Sequence, residues 1–161
     1  MQTLGLSPLR RLAPLAPLLA RLLVGVVMLA HGWQKLVDMT PAGFGEGMLG
    51  GLGVPAPVAF GWVVTLIELV GGALLIAGLF TRVAALLNIG VLVGALLLVK
   101  IDIGLIAPMG AEMPGAELEF GLLAGLLTVA LLGPGKPSVD HALGIEAGSP
   151  TLVDDGQLVS A

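Results

Sequence analysis

The chain has 161 residues, of which 57% are hydrophobic and 11% charged, with a net charge of −4 and a mean hydropathy of +1.05. Soluble domains carry about a quarter charged residues, so the expected solvent is lipid and no large soluble domain fits. Its 7 basic residues are too few and scattered for a nucleic-acid footprint, and its 0 cysteines exclude a disulfide, a thiolate nucleophile or a thiol relay within the chain.

Residues 1–17 hold Pro8, Pro14 and Pro17 and read as a short cytoplasmic or interfacial lead-in. Arg10 and Arg11 precede an apolar stretch, but Arg21 interrupts it and no clean cleavage pattern follows, so the stretch reads as a retained first span over 18–37. A glycine-rich loop, 38–55, argues against a rigid element there and leaves room for a short re-entrant turn. Proline at 57 opens a second span, 58–80. Thr81-Arg82 links it tightly to a third, 83–99, which makes the two antiparallel neighbours. A fourth span, 115–132, stops at Gly133-Pro134-Gly135, and residues 136–161 read as a polar, partly disordered tail. The fold class is thus an all-α integral membrane protein, a four-helix antiparallel bundle over 18–135. Arg10, Arg11, Arg21, Arg82 and Lys136 fall on one side of it, which places both termini in the cytoplasm.

Ionisable groups inside spans are costly in lipid and need explanation. With a rise of ~1.5 Å per residue, His31 and Glu119 lie roughly 20 Å from the cytoplasmic ends and Glu68 roughly 18 Å. Lys35 shares a helix face with His31. These four define one candidate site in the outer half. Gly61, Thr65, Gly71 and Gly72 share a stripe with Glu68, while Val63, Leu66, Val70 and Leu74 cover the other faces. Glu68 can accept hydrogen bonds from His31 or Lys35. Glu68 and His31 are the candidates for proton exchange, with Lys35 and Glu119 beside them. A buried pair that only fixes helix register is the competing reading. Trp33, Gly71 and Gly72 are candidate ligand contacts, although Trp33 and Trp62 suit an interfacial belt better. Arg21 and Arg82 read as anchors at the cytoplasmic side. Gly90/Gly94 and Gly121/Gly125 form G-x-x-x-G patterns that suit helix contacts. No ligand spacing suggests a metal or haem.

The run from Arg21 to His31-Gly32-Trp33-Gln34-Lys35 resembles the first-span signature of the DoxX family of small bacterial and archaeal membrane proteins. Glu68 through Gly71-Gly72 to Gly78 and Thr81-Arg82, Glu119 opening the last span, and Gly133-Pro134-Gly135 with Ser138 and Asp140 follow in the family's order. The resemblance covers about residues 18–142. It implies a four-helix bundle in the plasma (inner) membrane and marks Arg21, His31, Lys35, Glu68, Arg82 and Glu119 as the matched positions. The family name traces to a subunit of a thiosulfate:quinone oxidoreductase, and other members are linked to redox homeostasis or copper-responsive gene clusters. Two functions therefore stay open. One is a redox component that binds a quinone-like ligand. The other is a non-catalytic accessory subunit that stabilises a larger membrane complex. Lipid is the expected surrounding, with other membrane subunits or a second copy as protein partners.

Overall fold

The computed structural model describes residues 12–111 and 113–146, together with the backbone of 151–152 and 158–159. The Arg10-Arg11 pair, most of the lead-in, Glu112 and most of the distal tail lie outside the described residues. Helix α1 runs Ala16–Val37, after a 3₁₀ turn at Ala13–Leu15. A short α2, Pro41–Phe44, passes into a π turn at Gly45–Leu49. Helix α3 is Pro57–Ala77, and α4 is Thr81–Ala95 with a π turn to Lys100. Helix α5 is Glu117–Leu132 and α6 is Val139–Ala142. In the distal tail, Thr151–Leu152 pairs antiparallel with Leu158–Val159.

Among the described residues three helices are long and apolar enough to cross a membrane: Ala13–Val37, Pro57–Ala77 and Thr81–Lys100. At 16 residues, α5 extends about 24 Å, short of a hydrocarbon core of about 30 Å. The helices pack in a ring, with α1 on α3, α3 on α4, α4 on α5, and α5 back on α1. Met28, Leu75, Ala85, Leu92, Leu126 and Val129 fill its centre. Large apolar side chains also cover the outside, among them Leu23, Val63, Val70, Leu86 and Leu131. That is the expected exterior of a protein whose solvent is as apolar as leucine.

The tightest contact is α1 on α3. Arg21, Gly25, Met28 and Gly32 recur at helical spacing on the buried face of α1, and Gly61, Thr65, Glu68, Gly72 and Leu75 do so on α3. A Cβ at Gly32 would run into the Leu69 backbone, and one at Gly72 into the Leu29 backbone. The two helices therefore cross backbone to backbone, where any side chain would force them apart. The expected stripe around Glu68 is buried as read, and Val63, Leu66 and Val70 face outward; Leu74 instead packs against the core.

The structure corrects several expectations. A methyl group placed on Gly90, Gly94 or Gly121 would meet no neighbour within 4 Å, so these glycines make no close helix contact. Gly125 alone of the four lies close to a neighbouring helix, against the Val24 side chain. The glycine-rich loop is partly helical, because Gly45 packs on the Pro57 and Val58 backbone and Pro41 approaches Gly61.

The proximal tail is likewise ordered. Asp140 accepts hydrogen bonds from the Phe80 amide (2.7 Å), the Thr81 amide (2.9 Å) and the Thr81 hydroxyl (2.7 Å), while its own amide donates to Gly78 (2.8 Å). It thereby places an anion at the start of α4 and holds the turn where Gly78 (φ 71) and Phe80 (φ 46) are both left-handed. Phe80 lacks glycine's freedom, and such a conformation costs on the order of 1–3 kcal/mol unless its surroundings hold it. Arg21 is no surface anchor either: it is buried and donates to Leu75 (3.2 Å), Ile76 (3.3 Å) and Pro137 carbonyls. Arg82 bonds Glu146 and the Ala130 and Leu131 carbonyls at the end of α5. Asp140→Ala should lower stability by about 2–4 kcal/mol, since it strands buried donors. Adding Phe80→Gly should restore part of that loss. Detergent melting curves check both, and an Asp140→Ala protein that melts like wild type would contradict the clamp.

Candidate functional site: a cavity with two buried ion pairs

Between α3 and α4, on the far side of the core from the Gly78–Thr81 turn, lies a cavity of about 690 Å³. That is the size of a small-ligand site, roughly 300–1,000 Å³. Near the turn, Asn88 of α4 fills the space left by the missing side chain of Gly71 on α3, while its amide donates to Ala84 of its own helix (2.8 Å). Further along, Phe60, Val63 and Ile67 of α3 and Leu87, Gly90, Gly94 and Leu98 of α4 form its walls. Met39, Phe44, Met48, Leu49 and Val54 form a roof. His31, Gln34, Lys35, Glu68, Lys100 and Glu119 supply its polar groups.

The α1–α3 crossing positions the first pair. Gly32 lies against Leu69, which puts Lys35, three residues on, beside Glu68. The Lys35 ammonium donates to Glu68 Oε2 at 2.7 Å, with the side chains 13% and 6% exposed. It also sits 5.3 Å from the Phe44 ring centroid, a cation–π distance. Buried this far from water, either charge alone would carry a large desolvation cost, which the contact with its partner offsets.

A second pair stands at the ends of α4 and α5. Lys100 Nζ donates to the Pro114 carbonyl at 2.7 Å and lies 3.6 Å from Glu119 Oε1. Glu119 Oε2 is buried with no hydrogen-bond partner among the described residues. Lys100 has no role in the sequence analysis, where the third span ends at 99. A lysine closing an apolar run at the level where Glu119 opens the next helix was the available signal. Of the two donors open to Glu68, Lys35 makes the hydrogen bond, and His31 bonds its own helix instead. His31 Nδ1 lies 2.9 Å from the Val27 carbonyl, which can only accept, so Nδ1 carries a proton. Nε2 remains as an acceptor in the neutral ring or a second donor in the charged one.

Of the other candidates, Trp33 is 59% exposed and lies outside the cavity lining, on a different face of α1 from His31 and Lys35. Gly71 and Gly72 also lie outside it, because they are used up in contacts with Asn88 and α1. Gly90 and Gly94, expected at a helix contact, line the cavity instead. No cluster of three potential metal ligands occurs among the described residues.

A family model described as DoxX matches residues 16–101, more than half of the chain. The chain belongs to the DoxX family. That match contains Arg21, His31, Lys35, Glu68, Arg82 and Lys100, while Glu119 and the Gly133–Asp140 ending lie beyond it. The chain is 36% identical over 129 residues to an "Uncharacterized membrane protein" of Mycobacterium tuberculosis, covering 76% of this chain and 78% of that one. It is 34% identical over 119 residues to a Bacillus subtilis protein named "Putative oxidoreductase CatD", covering 72% and 78%. No solved structure matches the chain. Both alignments cover more of the chain than the family match does, so the similarity to these two relatives extends beyond residue 101.

The paired charges make a direct prediction. Lys35→Met leaves Glu68 buried and unpaired and should cost roughly 3–5 kcal/mol. Combining it with Glu68→Leu should recover most of the loss. A double-mutant cycle on thermal stability reads the coupling, and additive effects would show that the two groups do not interact.

Proposed function

We propose that this DoxX protein is a membrane redox component that binds a quinone-like ligand in the α3–α4 cavity. Glu68 and His31 exchange protons with the ligand's oxygens, while Lys35 and Lys100 hold the charge of Glu68 and Glu119. The observation that carries this reading is the cavity itself: about 690 Å³ of mostly apolar space that holds two buried ion pairs. The unpartnered Glu119 Oε2 and the free His31 nitrogen are polar groups available to a ligand. A relative named as an oxidoreductase supports the same class. A bound quinone supplies a two-electron, two-proton acceptor. With 0 cysteines in the chain, electrons must come from a reduced substrate, another cofactor or a partner subunit.

A second reading has its own support, since Glu68 is already paired without any ligand. In it the chain is an accessory subunit, and the ion pairs fix helix register. Substitution separates the two. Glu68→Gln leaves Lys35 without its counter-charge and lowers abundance under either reading. Under the redox reading it also loses quinone-linked activity per folded molecule, because the amide cannot exchange a proton; under the accessory reading activity falls only in proportion to abundance, as it does for Glu68→Leu. Activity and abundance measured on the same membranes decide; full activity per folded molecule of Glu68→Gln removes the catalytic role.

We also propose that α5 crosses as a fourth span, that the membrane is the plasma (inner) membrane, and that both termini are cytoplasmic. The membrane domain would then be 18–135, between a lead-in and a tail. Support comes from the packing of α5 against α1 and α4 and from the bias of basic residues toward the Arg21 end. Since the chain lacks cysteine, single cysteines at Gly47, Ala111 and Leu143 report directly. An impermeant thiol reagent on intact cells should label 47 and 111 and spare 143. Labelling at 143 alone would reverse the orientation.

A further inference from the structure

We infer that the cavity is entered sideways from the bilayer, through the cleft between α3 and α4, and that its occupant carries a long hydrocarbon chain lying over Gly90 and Gly94. The inference rests on the reading of the cavity as a ligand site and adds to it the ligand class and the route. Three observations carry it. First, the roof is fixed. Pro41 and Gly45 approach Gly61, Pro57 and Val58 so closely that only glycine fits at 45 and 61, and Phe44 and Leu49 are buried. Second, the side of the cavity is apolar and exposed. Phe60, Val63, Leu86, Leu87 and Leu98 all line the cavity and all present large open surface, on helices long enough to cross a membrane. The cavity therefore runs from buried Glu68 and Lys100 to the lipid face. Third, Gly90 and Gly94 stand one turn apart on that wall with open space where side chains would be, which leaves a channel along α4.

This geometry suits an amphiphile dissolved in the membrane. Its polar head meets the Lys35–Glu68 and Lys100–Glu119 pairs, and its chain leaves through a lipid-facing gap without having to be desolvated. A water-soluble substrate would have to pass the roof.

The test uses full-length protein in nanodiscs and two probes, a long-chain isoprenyl menaquinone and menadione, the same naphthoquinone nucleus without the chain. Gly90→Leu/Gly94→Leu fills the channel, and the open space at both positions lets the variant fold, as its melting curve will show. Gly121→Leu is the control, equally open but outside the cavity. The expected result is a loss of menaquinone affinity by about tenfold or more, as chain methylenes lose their place, with menadione binding kept. The control should bind both probes like wild type. Unchanged menaquinone affinity in the double variant would overturn lateral entry and leave the ligand site standing. A change of oligomeric state with menaquinone binding intact would make this face a self-association surface and overturn the inference too. Equal loss of both probes would overturn the placement of the chain over the glycines. Wild-type protein that binds neither probe would remove this inference and the ligand reading together.

Discussion

Helices α1 and α3 meet at Gly25, Gly32 and Gly72 with so little between their backbones that a single methyl group at these positions has no room. Lipid offers no hydrophobic drive between helices, so close van der Waals approach has to hold them together, and small residues permit it. The same contact sets the chemistry. Because Gly32 abuts Leu69, Lys35 is carried to Glu68 and the carboxylate is paired at a depth where a lone charge would be untenable. Widening the crossing by one side chain would lengthen the ion pair and leave two buried charges separately unsatisfied.

The two ends of the helix ring behave differently as a result. At the Arg21 end Arg21, Asp140 and Arg82 all bond backbone groups, and Arg82 also pairs with Glu146. Arg21 caps the last carbonyls of α3, Asp140 holds the start of α4, and Arg82 closes on the end of α5. These bonds join α1, α3, α4 and α5 through the proximal tail. At the other end a cavity is lined by both α3 and α4, and the charges pair with one another beside it. Rigidity at one end and volume at the other are what a site needs if its ligand is to enter while the helices keep their register.

Much of this was legible in the residues. The stripe of Gly61, Thr65, Glu68, Gly71 and Gly72 could be read from helical spacing, because in an apolar helix small and polar side chains have few places to go except inward. The membrane class followed from composition. The matching face of α1, Arg21-Gly25-Met28-Gly32, has the same periodicity and was there to be read. Gly90 and Gly94 misled because a small-residue pattern shows that approach is permitted without showing that a partner is present. The ordered tail could not be inferred from its polar composition, since Asp140 acts on amides some 60 residues away. Glu119 and Lys100 needed the fold, since an irregular loop lies between their helices.

In the proposed function the Lys35–Glu68 pair floors a site for a quinone-like molecule drawn from the membrane. Its most direct test is the quinone content of protein purified into nanodiscs of native membrane lipid, measured by mass spectrometry for wild type and for the Lys35→Met/Glu68→Leu double variant. The double variant keeps the helix contact and the Lys100–Glu119 pair but loses the ion pair at the floor of the cavity. The expected result is quinone enriched toward one per protein in wild type and at the level of bulk lipid in the double variant. Equal quinone in the two preparations would contradict it.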